Sequence, residues 1–209
     1  MKKESLQKMR ELLSITDGDV AKKLNEIILI ETVNPSSKFN WYNYVDKEVT
    51  RPATRGIYHE RGYKVATDSY ILIAEFCDYA NELEGKILSK DGTFIDRRFP
   101  NWQAVIPSDE KRVGSVKIDF DRWKQIYKQY TADKKLGCQY NYTKVGNRFY
   151  NVELFHKFVA WMKHIGATEL FENSDSKSRI MATVVCNNNN VGLLMPIYRS
   201  DDNVKYYVW

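Results

Sequence analysis

Cysteine is scarce in this chain of 209 residues: only Cys77, Cys138 and Cys186, far apart. Neither a disulfide framework nor a CxxC zinc site can be drawn from them, and a cytoplasmic location is expected. Histidine is equally sparse. His59, His156 and His164 make no ligand set, and the last two, on one helix, read as surface residues. The chain also lacks a glycine-rich phosphate loop, a GxSxG elbow and an HExxH helix, so no catalytic nucleophile and no cofactor are expected. Apolar runs such as residues 27–30 fall far short of the roughly 20 residues that span a bilayer. The first residues are charged and lack the apolar centre of a signal peptide, so no membrane partner is expected.

What remains is the composition of a globular protein, 43% hydrophobic and 28% charged, with 14 tyrosines suited to half-exposed strands and grooves. The net charge of +5 is compatible with a phosphate-backbone partner without requiring one.

The chain reads as three stretches, 1–50, 51–108 and 109–209, the first boundary set by a change of period and the second by the charged link at 108–112. In the first, Leu6, Met9, Leu12 and Leu13, then Val20, Leu24, Ile27 and Ile28, repeat at helical spacing. Residues 39–49 are aromatic without a period and read as a loop or irregular arm. From Arg51 the period shortens to two. Ile57 to Thr67 predicts a hairpin around Glu60-Arg61-Gly62, residues 70–76 a buried strand, and Lys90-Asp91-Gly92 a tight turn. In the third stretch, residues 108–112 form a charged link and a strand is predicted over 116–118. Asp119 is placed to cap a helix striped by Phe120, Trp123, Ile126, Tyr127 and Tyr130. After a strand over 140–145, Asn151 caps a second helix striped by Phe155, Phe158, Val159, Met162 and Ile165, which Gly166 ends. Strands over 169–172, 180–186 and 191–197 close the chain. Asp119 and Asp121 could pair around a metal, but helix N-terminal charge is the simpler reading.

Four segments, in order, resemble the bacterial sliding clamp, the β subunit of DNA polymerase III. Val65-Ala66-Thr67-Asp68-Ser69-Tyr70-Ile71-Leu72 resembles that family's ATDG turn, and Arg98-Phe99-Pro100-Asn101-Trp102-Gln103-Ala104-Val105-Ile106-Pro107 its FPDY-xx-V segment. Phe149 to Phe155 resembles its FNxxYL helix, and Leu193-Leu194-Met195-Pro196-Ile197 its closing MPM strand. The resemblance implies an α+β, DNA-clamp-like fold with helices on one face of antiparallel sheets, here behind an extra N-terminal helical segment. Departures are plain. The family has three domains per chain and this chain has room for fewer than two. Ser69 replaces a glycine, and Ile71 replaces a basic or polar residue.

The resemblance implies a non-enzymatic replication accessory of processivity type. Its peptide groove, which takes short peptides from polymerases and repair proteins, would use Thr67, Ser69, Tyr70, Ile71, Pro100, Val105, Leu193, Met195, Pro196 and Ile197. The segments 67–72, 99–107 and 193–197 should therefore lie close together. Non-specific contact with double-stranded DNA would fall to Arg122, Lys124, Lys128, Lys134, Lys135, Lys157 and Lys163, and ring closure would need a homo-oligomer. The rival readings are a monomeric clamp mimic that binds peptides without encircling DNA, and a metal-dependent hydrolase using Asp68, Asp96 or Asp119.

Overall fold

The computed structural model describes residues 11, 12, 18, 20, 39–79, 81–173, 183–197 and 205–209. Apart from the four isolated positions, the two helices expected before residue 30 lie outside the described residues. The chain divides into two compact units: Met1–Ser69 with Ala74–Pro100, and Tyr70–Ile73 with Asn101–Trp209.

In the first unit, β1 (Ile57–Glu60) and β2 (Tyr63–Thr67) form the expected hairpin, with Glu60 opposite Tyr63. Arg61 and Gly62 make the turn with φ of 51° and 81°, the paired left-handed backbone that lets a two-residue loop follow the strand twist. Glycine is needed at 62 for a second reason: a Cβ there would sit 2.7 Å from the Phe76 ring. The strand order is β4-β1-β2-β3, where β3 is Ile71–Phe76 and β4 is Ile87–Leu88. Residues 39–45 are irregular, as their lack of period predicts, but they are core rather than arm. Trp41 and Tyr44 are both 2% exposed, and Asn40 caps the single turn at Trp41–Asn43 by accepting from the Tyr42 N–H. Lys64 lies 4.6 Å above the Trp41 ring and pairs with Glu75 at 3.8 Å. That pairing lets a lysine be buried here.

In the second unit the strand order is β3-β10-β9-β8-β5, β3 entering through its first residues. These strands are β5 (Arg112–Lys117), β8 (Glu169–Asn173), β9 (Thr183–Asn187) and β10 (Asn190–Leu194). A smaller sheet, β11-β6-β7, combines the hairpin of β6 (Tyr142–Val145) and β7 (Arg148–Asn151) with β11 (Tyr207–Val208), which runs parallel to β6. Two helices complete it, α1 (Phe120–Lys135) and α2 (Val152–Ile165).

Both helix starts follow the sequence. Asp119 accepts from the backbone N–H groups of Asp121 and Arg122, and Asn151 from those of Glu153 and Leu154. Gly166, at φ 72°, ends α2. Asn151→Ala is expected to lower stability by about 1 kcal/mol in urea denaturation; an unchanged midpoint would show that solvent replaces the cap.

α2 buries Phe155, Phe158, Val159, Trp161 and Met162. Its Phe158 and Trp161 rings lie against Gly192 of β10, where a Cβ would strike the indole. α1 packs on α2 through an edge-on contact of Trp123 with Phe155, and on β11 through Tyr130 with Tyr207. Three differences from expectation have local causes. β5 begins at Arg112, not at 116, because it borders the sheet and its largely exposed residues carry no alternation. β10 ends at Leu194 because Pro196 has no N–H to donate, and Ile197 instead bridges to Phe149. The segment expected to open a strand at 180 is described only from Thr183 onward.

Candidate peptide groove and basic helix faces

In the second unit Tyr70, just before β3, meets the segment after β10. The Met195 N–H donates to the Tyr70 carbonyl at 2.9 Å, joining two of the expected groove residues from distant parts of the chain. Tyr70 is 59% exposed, Met195 and Ile197 are half-buried, and Pro196 is buried. The Ile197 N–H donates to the Phe149 carbonyl at 2.7 Å, so residues 195–197 are tied at both ends. Val105 is exposed at the end of the short turn Gln103–Val105, which follows the buried Trp102. Ile71 and Leu193, by contrast, are 1% and 5% exposed and pack as core.

The remaining groove candidates belong to the first unit. Ser69 adopts φ 74°, a left-handed backbone that costs a non-glycine residue strain. Its N–H donates to the Thr67 Oγ1 at 3.1 Å, and its hydroxyl accepts from the Arg51 guanidinium at 2.8 Å. Arg51 also pairs with the buried Asp46 at 3.7 Å. Thr67 is buried, and Pro100 is exposed beside Phe99, which stacks on Tyr58 at 4.6 Å.

The basic residues sort by helix geometry. At about 100° per residue, Lys124, Lys128 and Lys135 fall within about 40° of one another on α1. All three are exposed. Lys134 points elsewhere and pairs with Glu153 of α2, which also accepts from the Tyr130 hydroxyl. Those two bonds hold the Glu153 carboxyl below its ordinary pKa, so the charge of Lys134 is offset. Arg122 lies 5.9 Å from the Trp209 ring centroid. On α2, Lys163 is exposed and Lys157 half-buried, and the two are about 120° apart around the helix. The seven residues therefore form one aligned lysine row with scattered neighbours.

Of the hydrolase candidates Asp68, Asp96 and Asp119, the last has a structural task. Asp119 is spent on capping α1, and among the described residues no three His, Cys, Asp or Glu side chains are grouped to hold a metal. An aromatic cluster went unread in the sequence: Tyr127 stacks on His156 at 3.4 Å between ring centroids, and the Trp123 Nε1–H donates to His156 Nδ1 at 3.3 Å. His156 is thus half-buried rather than a surface residue, and burial lowers its pKa; His164 is exposed as expected. Among the described residues no helix is long and apolar enough to cross a membrane.

No family model matches the chain, and no curated protein resembles it in sequence. Solved structures do. The C. crescentus β sliding clamp superposes with a TM-score of 0.57 at 14% identity, over 84% of this chain and 64% of the clamp. The DNA polymerase III subunit β of Bartonella birtlesii, bound to griselimycin, gives 0.54 at 15% identity over 85% and 64%. The Helicobacter pylori β clamp, bound to a DNA ligase peptide, gives 0.53 at 12% over 75% and 61%. The chain has the α+β fold of the bacterial sliding clamp. It spans less than two thirds of the length of these clamps.

Proposed function

We propose that this chain is a sliding-clamp-like replication accessory of the cytoplasm that works by binding, not catalysis, and holds partner peptides at the Tyr70–Met195 junction. The observation that supports this most is the Met195-to-Tyr70 backbone bond, which sets a half-buried methionine beside an exposed tyrosine in a clamp fold. The H. pylori clamp of that fold was solved with a ligase peptide. Tyr70, Val105, Met195 and Ile197 would supply the accessible apolar surface. Methionine adapts its shape to differing side chains, and the tyrosine covers apolar area while keeping its hydroxyl wet. Thr67, Ser69, Ile71, Pro100, Leu193 and Pro196 hold the positions that the family resemblance assigns to the groove. Double-stranded DNA would meet the row Lys124, Lys128 and Lys135 without reading sequence, and encirclement would require several copies of the chain.

A fluorescence-anisotropy titration with a labelled clamp-type peptide tests the groove. Affinity in the micromolar range is expected, and Met195→Ala or Tyr70→Ala should weaken it by about tenfold while the melting temperature holds. Absence of binding by the wild type at millimolar peptide would end the groove assignment. The DNA contact is tested separately: charge reversal at Lys124 and Lys128 should lower affinity equally for all sequences, with steep salt dependence. A strong preference for one DNA sequence would contradict a backbone-only contact.

A further inference from the structure

The first unit contains a polar cleft that the clamp reading does not use. It encloses about 590 Å³ and is lined by Arg55, Ser89, Lys90, Asp91, Thr93 and Ile95. Its floor follows from strand register. Ile57 of β1 pairs with Leu88 of β4, so the residues just before β1 run beside the turn just after β4. Gly56 makes that approach possible, since a Cβ there would lie 2.7 Å from the Leu88 carbonyl oxygen. Arg55 is thereby brought opposite the Lys90-Asp91-Gly92 turn.

That turn is rigid. The Ser89 N–H donates to the Thr93 carbonyl at 2.9 Å, the Gly92 N–H to the Ser89 carbonyl at 3.1 Å, and Gly92 takes φ 85°. Asp91 Oδ1 accepts from the hydroxyls of Ser89 and Thr93, the latter at 2.9 Å. The Tyr42 hydroxyl, from the buried aromatic segment, donates to the Ser89 carbonyl at 2.9 Å and ties the turn to the core. One Asp91 oxygen is thus committed to the turn and Oδ2 is left for another donor. Among the described residues neither the Arg55 guanidinium nor the Lys90 ammonium has an ion-pair partner, although both border the cleft. Two cations without an ion pair among the described residues, the Asp91 carboxylate and Ile95 thus line one cleft.

We propose that this cleft binds a nucleoside monophosphate, with the phosphate on Arg55 and Lys90 and a single exocyclic amino group of the base on Asp91 Oδ2. Its volume is in the range of small-molecule sites. Arginine and lysine both suit phosphate oxygens. Because only one carboxylate oxygen is available, the base is read by one N–H donor. That favours an amino-bearing base such as cytosine, whose N4 donates to acidic side chains, over a base that presents only a carbonyl there. The proposal is independent of the peptide groove.

CMP and UMP differ at that position, an amino group in one and a carbonyl in the other, so they are the probes. Calorimetric titration of the full chain should show CMP binding with Kd on the order of 100 µM, about tenfold tighter than UMP, cytidine or inorganic phosphate. Arg55→Ala and Lys90→Ala should each weaken CMP by about tenfold without moving the melting temperature, since both side chains are exposed. Asp91→Asn keeps an oxygen for the turn but turns the second atom into a donor, so the preference should reverse toward UMP. No saturable CMP binding at millimolar concentration, CMP binding no tighter than phosphate, or indifference to Arg55→Ala would overturn the proposal. So would an oligocytidylate that binds far more tightly than CMP through the same residues, which would make the ligand a strand instead.

Discussion

Gly192→Ala is expected to destabilise the second unit by about 3 kcal/mol, the upper part of the usual range for overpacking a core. The added methyl would enter the Trp161 indole and approach Phe158 to 2.9 Å, and both side chains are fully buried. Neither partner has room to retreat, because α2 is fixed by its Asn151 cap and by Trp123 against Phe155. Trp161→Leu should relieve the clash. Leucine opens a cavity and costs stability alone, but in that background Gly192→Ala should cost less than about 1 kcal/mol. Urea denaturation of the wild type, both single variants and the double variant closes the cycle. Additive costs would show that Gly192 is small for a reason other than the indole.

This packing shows what could and could not be read in advance. The caps at Asp119 and Asn151 and the turn at Arg61-Gly62 are local, so residue type and spacing were sufficient. Trp161 lies beside the expected α2 stripe rather than in it, and its burial depends on a glycine in a strand that follows. No window of sequence contains both. β11 was missed for the same reason: Tyr207 and Val208 form two residues of strand only because β6 offers its edge in parallel, with the Thr143 hydroxyl donating to the Tyr207 carbonyl at 3.1 Å. Residues 39–45 were missed differently. Their aromatics fill core without a repeating backbone, so periodicity had nothing to detect.

The proposed sites divide along the same line. Tyr70 and Met195 were paired through resemblance to a family, and the backbone bond between them is a long-range fact that composition and spacing do not contain. The lysines of α1 were legible as a charged face, but the offset of Lys134 by Glu153 was not, because Glu153 belongs to the other helix. The cleft at Arg55 left no trace in the sequence beyond its turn. Its cations meet that turn only through the pairing of β1 with β4.

Acid should destabilise the first unit through one histidine. His59 is 0% exposed, meets the Tyr79 ring edge-on at 5.1 Å, and among the described residues has no hydrogen-bond partner at either ring nitrogen. Burial, above all, pushes its pKa from 6.5 down to about 4; the Lys86 carbonyl opposes the shift, Lys64 adds to it, and Glu84 opposes it. The folded state thus favours neutral imidazole more than the unfolded chain does. His59 therefore costs no charge-burial energy above pH 6.5, and stability is lost as pH falls from 6.5 toward 4, where the folded form also protonates. Each pH unit within that window removes about 1.4 kcal/mol, so the whole loss is about 3 kcal/mol. His156 is shifted in the same direction, and carboxylates held low, such as Glu84 and Glu153, add their own losses at lower pH. The comparison with His59→Phe isolates the residue. Phenylalanine keeps an edge for Tyr79 and leaves no buried nitrogen unpaired, so the variant should match or exceed the wild type at pH 7. It should then pull ahead by about 3 kcal/mol at pH 4. Denaturation curves that run parallel for the two proteins between pH 7 and pH 5 would show that His59 does not carry the acid sensitivity.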